Sequence, residues 1–129
     1  VGFNLKNKGL IEDVKVTGSI TGNNDVAGIV NKIDEDGKIE NVAFVGKIDS
    51  IGNNSTVGGI AGSNYMGFVN RAYVDATITA QNANASMLVP FVTYMLNSWK
   101  SGTKAKVTNS VAKGVLDVKK HTKCRWYCR

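Results

Sequence analysis

Apolar and polar residues alternate along a 12-residue pattern that recurs through the chain. The clearest copies are GLIEDVKVTGSI (Gly9–Ile20) and GKIENVAFVGKI (Gly37–Ile48), followed by GFVNRAYVDATI (Gly67–Ile78) and a weaker AKVTNSVAKGVL (Ala105–Leu116). Successive copies begin 28, 30 and 38 residues apart. Strict alternation predicts β-strands, and an internal repeat of about 30 residues predicts an architecture of stacked units.

A second, shorter apolar block lies between these copies. It reads VAGIV at Val26–Val30 and VGGIAG at Val57–Gly62, and we interpret MLVPFV at Met87–Val92 as a degraded third copy. Asn-rich segments precede each block, and Asn favours turns because it tolerates positive φ and bonds its own backbone. Each unit therefore reads as a strand, a Gly bend, a strand, an Asn turn and a short apolar strand.

Units of this kind can bury their apolar side only by stacking in parallel. We expect three inward-facing columns of like residues: Ile11, Ile39, Val69 and Val107; Ile20, Ile48, Ile78 and Leu116; and a third that starts with Val26 and Val57. Gly28, Gly58 and Gly59 fit places where backbones approach closely. The pattern predicts an all-β fold, a right-handed parallel β-helix or similar solenoid of about four coils over residues 1–119. A β-propeller and a β-sandwich are the alternatives, although hairpin signals such as Asn-Gly are missing.

One segment near residues 85–99 interrupts the repeat. It reads ASMLVPFVTYMLNSW, holds the single Pro of the chain and predicts a short helical insertion beginning near Pro90. Such a helix either caps the solenoid or forms an exposed docking patch for another domain. The candidate patch residues are Met87, Phe91, Tyr94, Met95 and Trp99.

Charge is distributed unevenly along the chain. Residues 1–100 hold 8 Lys and Arg and 9 Asp and Glu. Residues 101–129 hold 8 Lys and Arg, and Asp117 is their single acidic residue. The net charge of +6 therefore belongs to the C-terminal end, which indicates a solvated end and not a nucleic-acid-binding face. No apolar run is long enough for a membrane span, and no signal peptide is recognised. Because the chain begins within the pattern, at Val1, we interpret it as a piece of a longer protein.

No constellation of residues in the sequence predicts catalysis or metal binding. The single His, His121, excludes an H-E-x-x-H zinc motif and a nearby catalytic triad. Asp34-Glu35-Asp36-Gly37, with Glu40 beyond it, does not have EF-hand spacing and predicts a polar turn. The acids Asp13, Asp25, Asp49 and Asp75 occupy different places in the repeat, so they form no catalytic pair. We therefore expect no catalytic residue, no metal and no cofactor in this chain.

The last ten residues, KHTKCRWYCR at positions 120–129, match no repeat. We expect this basic tail to lie outside the fold. Cys124 and Cys128 leave three interpretations: a foreign or disordered tail, a small disulfide loop, or a metal site that has too few ligands to close.

The repeat units resemble GLUG repeats, which carry a V-G-G-L-V-G-type block after an I-x-N strand. Val57–Gly62 matches this block closely, and Val26–Val30 less closely. The phrases NVAFVGKI, GGIAGSNYMG and NSVAKGVLDV most resemble the repeat region of streptococcal immunoglobulin A1 proteases, across most of residues 1–119.

The resemblance implies a secreted or cell-wall-associated zinc metallopeptidase whose zinc lies in a separate catalytic domain. This segment would then be a non-catalytic scaffold that positions the substrate. Its partners would be other domains of the parent protein and immunoglobulin A1 or another host protein. The alternative is a repeat module of a surface adhesin that binds host protein or glycan.

Overall fold

The computed structural model describes residues 4–5, 9–34, 36–65, 67–89 and 105–119. Within these ranges the backbone forms strands and no helix, so the prediction of an all-β fold is confirmed. The described residues also contain no helix long and apolar enough to cross a membrane. The strands are β1 Asn4–Leu5, β2 Leu10–Gly22, β3 Val26–Ala27, β4 Val30–Ile33, β5 Lys38–Gly58, β6 Ala61–Asn64, β7 Phe68–Ser86, β8 Lys106–Thr108 and β9 Val111–Val118.

Every strand pair in the described residues is parallel. A larger sheet follows the order β2-β5-β7-β8, with β3 also on β5 and β9 also on β7. A smaller sheet has the order β1-β4-β6. Parallel neighbours need a long connection between them. Here β4 lies within the connection from β2 to β5 and β6 within the connection from β5 to β7, so the first two repeats contribute to both sheets.

The strand register pairs the same residues that the sequence repeat aligns. Ile11 lies beside Ile39, Ile39 beside Val69, and Val69 beside Val107. One alignment was wrong by two residues: β5 pairs Val57 with Ala85 and Gly58 with Ser86. The third apolar block therefore starts at Ala85 and not at Met87. The Asn turns predicted before the second and third blocks are wrong, because residues 53–55 continue strand β5 and residues 82–84 continue strand β7.

The core lies between the two sheets and is filled by the inward-facing columns. Ile39 and Val69 are buried, and Ile11 and Val107 pack against the core at its two ends. Ile48 and Ile78 are fully buried, whereas Leu116, in the same column, is 42% exposed. Leu116 keeps the register of this column, but it is not buried as its partners are, since no described strand covers β9 on its outer side.

Glycines stand where two neighbouring backbones come too close for a side chain. A Cβ at Gly28 would collide with the Phe44 ring and the Gly59 carbonyl oxygen, and a Cβ at Gly59 would collide with the Met87 carbonyl oxygen. At Gly58 the obstacle would be the Ala61 carbonyl oxygen. Gly28 and Gly59 thus let the apolar blocks of successive repeats pack closely, and Gly58 permits the tight bend from β5 to β6.

The predicted insertion near residues 85–99 is described only at its start. Ala85 and Ser86 belong to β7, and Val89 is buried in the core. The helix predicted to begin near Pro90 lies outside the described residues, as does the tail at residues 120–129.

Candidate functional site

The four repeats share one left-handed bend. Asp13, Asn41, Arg71 and Asn109 have φ values of 55°, 53°, 53° and 49°. They occupy the same place in each repeat, between register pairs such as Glu12 with Glu40 and Val14 with Val42. We call these four residues the left-handed corner. L-residues rarely adopt this conformation, and Asn and Asp adopt it most readily. Arg71 is therefore the exception among the four.

Side-chain contacts link neighbouring repeats along the corner. The Asn41 Nδ2 donates to the Asp13 Oδ1 at 2.6 Å, and the Arg71 Nη2 donates to the Glu40 Oε1 at 2.8 Å. The Asn109 Nδ2 donates to the Asn70 Oδ1 at 2.9 Å. Exposed pairs of this kind add little stability, typically below about 1 kcal/mol each. Their effect here is to hold the polar side chains in one orientation from repeat to repeat.

A shallow groove of about 390 Å³ lies beside the left-handed corner on the outer face of the larger sheet. Lys15, Ala43 and Tyr73 are adjacent in register across β2, β5 and β7, and all three line the groove. Parallel neighbours lie about 4.8 Å apart, so Lys15 and Tyr73 stand roughly 10 Å apart with only a methyl group between them. The small side chain of Ala43 therefore opens the groove.

The groove has a polar side and an aromatic side. Asp13, Asn41 and Arg71 of the left-handed corner form the polar side. Tyr73, which is 37% exposed, forms the aromatic side. The arrangement places hydrogen-bonding groups, held in position by their mutual contacts, beside an accessible aromatic ring.

Lys113, on β9, stands next to the tyrosine. Its Nζ is 6.0 Å from the centre of the Tyr73 ring and 3.4 Å from the Asp75 Oδ2. The pKa of Lys113 is raised above its ordinary value, first by its hydrogen bond with the Tyr73 side chain and then by the negative charge of Asp75. Lys113 therefore lies against the Tyr73 side chain from the neighbouring strand.

The acidic residues that the sequence places near Gly37 are dispersed in the structure. Asp34 pairs with Lys32 at 3.0 Å, and its carbonyl oxygen accepts a hydrogen bond from the Gly37 N–H. Glu40 points to Arg71 instead. In the part of the chain that the structure describes, no three His, Cys, Asp or Glu side chains are placed to hold a metal ion.

Of the proposed docking patch, the structure describes Met87. Met87 is partly buried and packs against the core beside Gly59. Phe91, Tyr94, Met95, Trp99, His121, Cys124 and Cys128 lie outside the described residues. Sequence reasoning did not single out the groove. The signal it passed over is the aligned column Asp13, Asn41, Arg71 and Asn109, in which one residue breaks a run of Asp and Asn.

The described residues form an all-β protein of in-register parallel strands with a shallow groove on its outer face. Over 116 residues the chain is 53% identical to the zinc metalloprotease ZmpB of Streptococcus pneumoniae. The match covers 88% of this chain and 6% of that protein, so the chain is similar to a short segment of a streptococcal zinc metalloprotease. No family model matches the chain, and no solved structure matches it.

Proposed function

We propose that this chain is a non-catalytic repeat module of a streptococcal zinc metalloprotease that positions the substrate for a catalytic domain elsewhere in the parent protein. The observation that carries the proposal is the 53% identity to a zinc metalloprotease across 88% of the chain, against only 6% of the relative's length. A segment so small within its relative fits a module better than a complete enzyme.

The proposed architecture is a right-handed parallel β-helix of GLUG-type repeats over residues 1–119. Parallel strands that pair in register at offsets equal to the sequence repeat support it. Stacked repeats of this kind make stiff, elongated bodies with long exposed faces. Such a body suits the task of holding a large protein at a fixed distance from a cleaving site.

The proposal assigns no catalytic step to this chain. A zinc peptidase of the H-E-x-x-H type needs two His on one helical face with a Glu as general base. The chain holds His121 as its single His and has no such motif. The zinc and the general base would therefore belong to another domain of the parent protease.

The substrate we propose is immunoglobulin A1, and the proposed location is secreted or attached to the cell wall. Both follow from the resemblance of the repeats to immunoglobulin A1 proteases. The other partners would be neighbouring domains of the same protein. The outer face of the larger sheet, with its groove, is the surface we assign to the substrate.

The test compares the protease that carries this segment with a variant lacking residues 1–119. On intact immunoglobulin A1, deletion should raise KM while kcat changes little, because positioning contributes binding and not chemistry. On a short peptide substrate both enzymes should be equally active. Equal activity of the two enzymes on the antibody would contradict the proposal, and so would cleavage of the antibody by the isolated chain.

A second candidate is a repeat module of a surface adhesin, and the exposed groove beside Tyr73 favours it. This function predicts that the isolated chain binds a host surface with useful affinity without any protease domain. Binding to host cells that persists when the catalytic domain is removed, with no effect of the deletion on antibody cleavage, would select the adhesin.

A further inference from the structure

We propose that the groove over Ala43 binds a short neutral oligosaccharide carried by a glycoprotein. The inference deepens the proposed function and rests on it for its biological role, since it names the chemical group by which the module would hold its substrate. The chemistry of the groove itself does not depend on that role.

The shape of the groove suits a sugar ring. In one outward column, Ala43 stands between two long side chains, Lys15 and Tyr73. The resulting slot is open to solvent, and the backbones of β2 and β7 that carry its two walls lie about 10 Å apart. A pyranose ring is flat and compact enough to enter such a slot edge-on, and the open ends let the rest of a sugar chain leave on either side.

The walls of the groove combine an aromatic ring with hydrogen-bonding groups. Tyr73 presents an accessible ring, and the apolar face of a pyranose packs well on an aromatic side chain with a polar tip. Opposite it, the Asn41 amide and the Asp13 carboxylate are held together by their 2.6 Å hydrogen bond. Together they offer acceptors and a donor at fixed positions, as two neighbouring sugar hydroxyls require.

The charged groups around the groove balance one another. Asp13 and Lys15 carry opposite charges, and Glu40 neutralises Arg71 at 2.8 Å. None of the ion pairs between described residues involves Lys15, which leaves its ammonium group able to donate to an uncharged hydroxyl. The site has no net charge, and this favours a neutral saccharide over an acidic sugar or a nucleic acid.

One residue of the left-handed corner is of an unusual type for its backbone conformation. Arg71 holds φ of 53° where the other repeats use Asp or Asn, which adopt this backbone at lower cost. Residues kept in unfavourable conformations concentrate at functional sites, and local rules are most often broken there. Arg71 is also the corner residue nearest in sequence to Tyr73, so the exception falls at the groove.

The test is an NMR titration of the 129-residue chain with two probes, the neutral tetrasaccharide lacto-N-neotetraose and the acidic trisaccharide 3′-sialyllactose. The neutral probe should shift amide signals of Ala43, Tyr73 and Asn41 with a millimolar dissociation constant, as a shallow site allows. Absence of shifts at these residues would overturn the proposal. Binding of the acidic probe in preference to the neutral one would overturn the choice of a neutral ligand.

Three variants show whether the groove is responsible. Tyr73→Ala removes the aromatic wall and Ala43→Leu fills the slot; each should weaken binding about tenfold or more. Thr77→Ala, an exposed change on the same strand outside the groove, is the matched control and should bind normally. Far-ultraviolet circular dichroism checks that each variant folds. Equal binding by a folded Ala43→Leu chain would contradict the proposal.

A final arm separates this inference from the proposed function. The protease with and without residues 1–119 is assayed on immunoglobulin A1 before and after enzymatic removal of its sugars. A deletion effect that disappears with the sugars supports both proposals. A deletion effect that persists without them leaves substrate positioning intact and overturns the saccharide. Absence of any deletion effect overturns substrate positioning, while the titration still decides whether the groove binds sugar.

Discussion

The middle repeats and the last repeat place similar residues in very different surroundings. Ile48 on β5 and Ile78 on β7 are fully buried, whereas Leu116 on β9 holds the same register position and is 42% exposed. Strands β5 and β7 each have a neighbour on both sides, and β9 has a described neighbour on one side only. A residue's position in the repeat therefore decides which way it points, but the adjacent repeat decides whether it is buried.

The largest expected contrast is between two truncations in that one column. Ile48→Ala should destabilise the protein by about 2–5 kcal/mol, because it leaves a cavity in a fully packed core. Leu116→Ala should cost less than about 1 kcal/mol, since its side chain is already half in water. Urea unfolding followed by circular dichroism measures both. Equal costs would mean that the last repeat is covered as fully as the middle ones.

A second contrast concerns equivalent glycines at an outer and an inner strand. Gly46 has φ of 151°, and a Cβ there would collide with the Gly18 carbonyl oxygen. Gly18 has φ of 134° but open space where its Cβ would lie. We expect Gly46→Ala to cost about 3 kcal/mol or more, and Gly18→Ala about 1 kcal/mol from backbone strain alone.

The same urea experiment distinguishes the two glycine variants. Similar losses at both positions would show that backbone conformation dominates and that the contact between repeats matters little.

A smaller effect is expected at the left-handed corner. Arg71→Asn should stabilise the fold by about 0.5–1 kcal/mol, because Asn tolerates positive φ and the exposed pair with Glu40 contributes little. Asn109→Arg, the reverse change in the last repeat, should destabilise by a similar amount. Thermal unfolding of both variants measures the two changes in stability. Destabilisation by Arg71→Asn would show that the ion pair with Glu40 outweighs the backbone cost.

The smallest effect concerns the pKa of Lys113. It is raised by Tyr73 and by Asp75, so Asp75→Asn should lower it toward the ordinary lysine value. A raised lysine pKa stabilises the folded state while the amine is protonated; this contribution is fully present below the unfolded-state pKa and is lost as pH rises through the folded-state pKa. An NMR titration of the Lys113 side chain at alkaline pH measures the shift. An unchanged pKa in Asp75→Asn would assign the whole effect to Tyr73.

Much of the fold could be predicted from the sequence, because in a parallel stack the offset between paired strands equals the length of the sequence repeat. The match of Gly9–Ile20 to Gly37–Ile48 predicts strand pairs that the structure contains, from Leu10 with Lys38 onward. The alignment was displaced at Met87–Val92 because the third block lacks the glycines that mark the other two. The ladder from Val57 to Ala85 locates it correctly.

The groove was not accessible in the same way, because it depends on three residues far apart in the chain. Lys15, Ala43 and Tyr73 are 28 and 30 residues apart, and none of them is distinctive in its own repeat. A groove appears only when a small side chain stands between two long ones in the same column. The sequence contained that column, but it gave no reason to prefer it over the neighbouring outward columns.

By itself, the sequence determined the strand periodicity, the repeat and thus the register, because alternation and repeat length constrain how parallel strands can pair. Tertiary structure alone decided that Leu116 is exposed while Ile48 and Ile78 are buried. It also decided that Asp13, Asn41 and Arg71 bend the backbone at one corner and that Ala43 opens a groove beside Tyr73. The physical reason is that burial and concavity are properties of neighbouring strands together, and no single repeat contains them.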